Sequence, residues 1–152
     1  MPLRCASQMA GSTWKCMLAS GGSYTSLNTA VFIVEAQTDK VVMPLHDGLP
    51  KVWDQSPPLC SNTVEGCPPE IVEYMESWRD SMLGALKEVQ TANRGDGIFN
   101  PSCLIHTSFS SDKPLINKLN YMQALEAWIN EPSSGSDHYY IDDCGEVMCG
   151  TC

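Results

Sequence analysis

Positive charge is scarce in this sequence. Nine Lys and Arg stand against eighteen Asp and Glu in 152 residues, a net charge of −9. A phosphate-backbone binder needs basic patches that displace counterions, so nucleic acid is excluded as a partner class. Long apolar runs are missing too. The longest, Ala30 to Val34, has five residues, against roughly 20 for a membrane-spanning helix, so no membrane span is expected. The opening residues, MPLRCASQMA, hold no apolar h-region, and no signal peptide is read there. No G-x-S-x-G occurs anywhere, which removes the strained elbow that exposes a serine nucleophile. Cysteine, in contrast, is abundant. Eight cysteines in 152 residues suit an oxidising compartment better than the cytosol. A secreted composition without a leader predicts that these residues are part of a longer protein.

Residues 1–29 carry Cys5 and Cys16 among Ser, Gly and Thr and read as a cysteine-containing loop region. From residue 30 the pattern changes. AVFIV, residues 30–34, is continuously apolar and β-branched, which suits a parallel strand buried on both faces. Residues 44–68 hold five of the ten prolines and form an irregular excursion. A helix is predicted from Pro68 or Pro69, because proline fits the first turn, with Ile71, Met75, Trp78, Met82, Leu86 and Val89 as its buried stripe. GIFNPSCLIH, residues 97–106, reads as a second strand leading to His106. A second helix is predicted from near Pro114, capped by Ser111 or Asp112, burying Leu115, Leu119, Met122, Leu125, Trp128 and Ile129. NEPSSGSDH then reads as a loop. Strand, helix, strand, helix is an α/β pattern, but two strands are too few for a free-standing sheet.

The chemistry-bearing residues narrow quickly. The tail spacing C-x4-C-x2-C of Cys144, Cys149 and Cys152 matches three ligands of an iron–sulfur site but offers no fourth cysteine after it. Zinc held by these three with His138 is the other metal reading; disulfides are the plainer one, and no metal is expected. Cys103 and His106 are three apart, so on one strand they would point to opposite faces and form no nucleophile–base pair. There remain an acid after the first strand, Asp39, and a histidine after the second, His106. Acid then histidine, each at a strand end with a helix between, is the second half of the Ser, Asp, His order of an α/β-hydrolase. His46 and His138 compete for the base, but neither follows a strand-like segment.

At these residues the chain resembles the C-terminal portion of the pectin acetylesterase and Notum family of carboxylester hydrolases. AVFIVEAQTDKVVM resembles the strand and loop that carry the family's triad aspartate, which lands on Asp39. GIFNPSCLIHTS resembles the segment of the triad histidine, which lands on His106. WDQSPPLCSNTVEGC, WRDSMLGAL, IDDCGEVMCGTC and RCASQMAGSTWKC resemble further family segments in the same order along the chain. The chain departs from the pattern at Thr107 and Ala127, where some members have cysteine, which leaves the partner of Cys103 open.

The resemblance implies that residues 30–152 are the C-terminal part of one α/β-hydrolase-like domain with disulfide-rich loops, its nucleophile serine and oxyanion donors lying upstream. It implies a Ser-His-Asp mechanism with Asp39 and His106 as acid and base, no cofactor, and inactivity of these residues alone. The implied substrates are acetyl esters of cell-wall polysaccharide or, in Notum-like members, an acylated protein; the parent would be secreted, to the cell wall or the extracellular space. The insert holding Cys60 and Cys67 favours the polysaccharide branch, while the charge of −9 does not favour an acidic galacturonan. A non-catalytic secreted binding relative and an unrelated cysteine-rich protein are the competing classes. All eight cysteines (Cys5, Cys16, Cys60, Cys67, Cys103, Cys144, Cys149 and Cys152) are disulfide candidates. Cys60 and Cys67 are seven apart between proline pairs and can close a short loop. Non-reducing peptide mapping is expected to recover them bridged to each other, and alkylation of both would refute the pairing.

Overall fold

The computed structural model describes Cys5, Ser7 and residues 11–12, 23–46, 64–106, 112–131 and 138–152. The chain forms two compact units, Met1–Ala30 and Val31–Cys152. In the first, Cys5 is buried and disulfide-bonded, and a 3-10 turn, Tyr24–Ser26, closes with the Leu27 amide donating to the Tyr24 carbonyl. Cys16 lies outside the described residues.

The second unit is built on three parallel strands, β1 (Phe32–Val34), β2 (Gly97–Asn100) and β3 (Tyr139–Ile141), in the order β1-β2-β3. Phe32 pairs with Gly97 and Ile98 with Tyr139. Parallel neighbours need long crossovers. α1 (Val42–His46) and α2 (Pro69–Ala92) lie between β1 and β2, and α3 (Tyr121–Asn130) lies between β2 and β3. The strand buried throughout is β2, with Ile98 and Phe99 fully enclosed, whereas β1 is only half-buried. The apolar run of residues 30–34 suggested burial on both faces. As the outer strand of the described sheet, β1 has one neighbour where β2 has two.

Helix α2 begins where proline placed it. Pro69 sits in the first turn, Glu70 meets the positive dipole end, and Asn93 closes the helix in a left-handed conformation (φ 47°). Its 24 residues run for about 36 Å. Ile71 and Met75 pack with Met43, Leu104, Val147 and Met148 in one core cluster, with Trp78 against it. Further along, the Met82 sulfur accepts from the Asn100 side chain of β2 at 3.3 Å. Since side chains alternate along a strand, Phe99 points to the other face, where it packs with Ile116 and Ala124 of the α3 layer.

Helix α3 starts later than proline suggested. Residues 115–119 instead make a tight turn: Ile116 and Leu119 exchange both backbone hydrogen bonds at 2.9 Å around Asn117 and Lys118, which take φ of 52° and 69°. Such a two-residue turn needs left-handed backbone at both central positions, and asparagine supplies it readily. The helix begins beyond it on a capping box in which Asn120 and Gln123 each bind the other's amide. Its buried contact is Ala124; Met122 and Ile129, assigned to the buried face from sequence, are 49% and 61% exposed. Ser111 lies outside the described residues. The third strand was not read from sequence at all.

Both ends of the sheet are tied. At the N-terminal end, buried Asp96 accepts the Val31 amide at 2.8 Å and pairs with Arg94 at 3.3 Å, while the Trp128 indole donates to Gly95 at 2.7 Å. At the C-terminal end the tail folds back over residues 101–104. Gly150 donates to the Ser102 carbonyl at 2.9 Å, and Asp142 accepts the Ser102 amide at 2.9 Å. A Cβ on Gly150 would come within 2.7 Å of the Asp142 carboxylate and 2.9 Å of the Ser102 carbonyl, so the tail's approach requires glycine. Disulfides Cys103–Cys152 and Cys144–Cys149, with Cα separations of 5.9 and 6.1 Å, fasten it. Cys67 is also disulfide-bonded; Cys60, its expected partner, lies outside the described residues.

Two outcomes follow from this packing. A Cβ at Gly97 would overlap the Phe32 ring, falling 2.7 Å from its Cε2 and 3.1 Å from Trp128 Cδ1. Gly97→Ala is expected to lower the unfolding free energy by about 1–3 kcal/mol, measured by urea denaturation. The second outcome concerns pH. Burial raises the Asp142 pKa above its ordinary 3.8, against the opposing hydrogen bond from Ser102. The folded state therefore holds this proton more tightly than the unfolded chain. Its stabilising contribution is full below 3.8 and is lost as pH rises through the raised value. Asp142→Asn should gain stability relative to the parent as pH rises from 3.8 through the raised value; parallel titration curves would refute this.

Candidate active site

The strands β1 and β2 end, but their pairing does not. The Glu35 amide donates to the Phe99 carbonyl at 3.2 Å and the Gln37 amide to the Pro101 carbonyl at 2.9 Å. Thr38 then bridges to Leu104 in the same parallel sense. The two chains thus leave the carboxyl end of the sheet side by side, the place where open α/β sheets gather ligand chemistry. Asp39 ends one of them and His106 the other.

Of the polar residues after β1, Gln37, Thr38 and Asp39 are buried, while Glu35 and Lys40 are exposed. Gln37 is 1% exposed. Its side-chain amide donates to the Asp142 carbonyl at 2.6 Å and to the Asn100 carbonyl at 3.3 Å, linking the ends of β2 and β3. Asn100 returns a bond to the Glu35 carbonyl at 2.7 Å. One cross-braced layer of amides therefore lies beneath the acid.

Asp39 is 5% exposed. Its Oδ1 accepts the amides of Val41 and Val42, both at 2.8 Å, and its carbonyl accepts Met43 at 3.2 Å, so the residue also starts α1. The His106 Nδ1 stands 2.8 Å from Oδ2 and 3.1 Å from Oδ1. An ionised carboxylate only accepts, so opposite one Nδ1 carries the proton and Nε2 is the ring nitrogen left to accept. The imidazole side chain is 36% exposed and the carboxylate 7%. The carboxylate is enclosed while the imidazole reaches solvent. Near them, the Glu35 carboxyl is held above its ordinary range, chiefly by burial and then by the Asp39 charge, against the opposing pull of His106.

The other sequence candidates fall elsewhere. Cys103 is fully buried and spent in its disulfide, so it offers no thiol to His106. The three tail cysteines are likewise all oxidised. Ser102 is enclosed, its hydroxyl donating to Glu146 at 3.2 Å and accepting the Cys149 amide at 3.4 Å. His138 is buried at the start of β3, at the opposite end of the strands, with Nε2 2.7 Å from the Glu131 carbonyl. The His46 side chain lies outside the described residues. Sequence reasoning passed over Gln37, Thr38, Asn100 and Asp142. Asn100 and Asp142 each directly follow the last apolar residue of their strand, and Gln37 and Thr38 lie in the polar stretch just beyond β1.

A search of curated proteins finds no match. The family profile described as pectinacetylesterase matches residues 1–152. A parallel sheet flanked by helices, bearing an acid and a histidine at its carboxyl end, is in keeping with that match. The chain belongs to the pectinacetylesterase family, and so to the carboxylester hydrolases.

Proposed function

We propose that Asp39 and His106 are the acid and base of a serine carboxylesterase that removes acetyl groups from cell-wall polysaccharide outside the cell. The supporting observation is the 2.8 Å contact between His106 Nδ1 and Asp39 at the carboxyl ends of neighbouring parallel strands. Held in this tautomer, the imidazole takes the proton of a serine hydroxyl through Nε2 as the oxygen attacks the ester carbonyl. It then returns that proton to the departing sugar alcohol. Asp39 stabilises the imidazolium between the two steps and keeps the ring turned toward the nucleophile. The hydrolysis of the acetyl-enzyme repeats the sequence with water in place of serine.

Within the 152 residues no G-x-S-x-G supplies the nucleophile, and the oxyanion donors belong beside it. In this reading both come from residues upstream of Met1. The disulfides suit an oxidising compartment for the assembled enzyme. The family points to an ester-bearing polysaccharide as substrate.

The test is a pair of assays on a small acetyl ester. Residues 1–152 alone are expected to hydrolyse it at the background rate. A chain extended upstream with a serine elbow is expected to be active, and Asp39→Asn and His106→Ala should each cost about 10³–10⁴-fold in kcat. An extended chain that tolerates both substitutions would refute the acid–base assignment. Cleavage of a fatty acyl ester of a peptide in preference to acetylated polysaccharide would move the protein to the Notum-like branch.

A further inference from the structure

We infer that Thr38 is a positioning residue: its hydroxyl, by binding the Cys103 carbonyl, sets the distance between Asp39 and His106. The ladder between the two departing chains advances in steps of two. Glu35 donates to Phe99 and Gln37 to Pro101. The next step would send the Asp39 amide to the Cys103 carbonyl. The Thr38 hydroxyl donates there instead, at 3.0 Å, from a fully buried side chain.

This exchange has two effects. The Asp39 backbone leaves the ladder one residue early and turns into α1, with its carboxylate gripped by the Val41 and Val42 amides. The histidine chain stays beside it with its pairing moved on by one residue, from Val34 opposite Phe99 to Thr38 opposite Leu104, and Thr38 holds it there at two points. Its hydroxyl binds Cys103, and its carbonyl accepts the Ile105 amide at 3.4 Å. These two bonds bracket the approach to His106. A hydroxyl one residue before the acid therefore releases the acid from the sheet and anchors the base to it. Valine at this position would keep the branched shape but leave the enclosed Cys103 carbonyl without its donor.

The inference rests on the acid–base reading for its catalytic consequence, but the placement can be measured without turnover. An imidazole N–H donated to a carboxylate gives a far-downfield proton resonance that exchanges slowly with water. Proton NMR of residues 1–152 is expected to show this resonance for His106 Nδ1, and Asp39→Asn to abolish it. Thr38→Ser, which keeps the hydroxyl, should retain it. Thr38→Val should lose it or speed its exchange by about fivefold or more, as expected for one lost hydrogen bond. Val89→Ala, a truncation in the buried face of α2, controls for general loosening and should leave it in place.

The proposal is overturned if Thr38→Val exchanges like the parent, if Thr38→Ser loses the resonance, or if Val89→Ala loses it equally. If Thr38→Val does not fold, the decision falls to Thr38→Ser. A resonance surviving Asp39→Asn would overturn the acid–base contact itself, and the proposed function with it, independently of Thr38. In the extended enzyme, Thr38→Val is expected to lower kcat with KM little changed. Thr38→Ser should restore kcat.

Discussion

The parallel register between β1 and β2 is the constraint on which the rest depends. Val34 opposite Phe99 is its last strand pair, and everything chemically distinctive follows from how the pairing continues afterwards. Because side chains alternate, a one-residue slip would exchange the faces of β2. Phe99 would then meet α2, while Asn100 would be driven into the apolar layer under α3. The Asn100 amide, which binds the Glu35 carbonyl and the Met82 sulfur, could make neither bond from there. The buried polar groups beneath Asp39 and the apolar layers around them thus select the same alignment.

Much of this framework was legible in the chain. Residues 30–34 announced a strand through β-branching, Pro69 announced a helix start, and the residues before His106 announced a second strand. Asp39 and His106, which the structure brings to 2.8 Å of each other, each follow an apolar run in the sequence. What escaped notice was short or ambiguous. The strand Tyr139–Ile141 has three residues, too few to display a period of two. Leu115 and Leu119 sit at helical spacing, but Asn117 and Lys118 between them adopt left-handed backbone that ends any helix. The true helix start was written in the Asn120 and Gln123 capping box, which Pro114 overshadowed.

The support of the site was harder to see for a different reason. Gln37, Thr38 and Asn100 look like ordinary loop residues until the strands bring their partners together from 63 to 105 positions away. Sequence records that they are polar. Burial turns that polarity into geometry, since an enclosed amide or hydroxyl must find its partner or the fold loses free energy.

The bond between Cys103 and Cys152 joins positions 49 apart, and the chain between them contains α3 and β3. In the loop-entropy picture, closing a ring of this size lowers the freedom of the unfolded chain by about 4 kcal/mol. The shortest recruit to the sheet is therefore never far from its place. Even in a fully denatured, oxidised molecule, β3 remains part of a ring that begins three residues before the histidine. Oxidation confines the search for the third strand to a small volume before any hydrogen bond of that strand has formed.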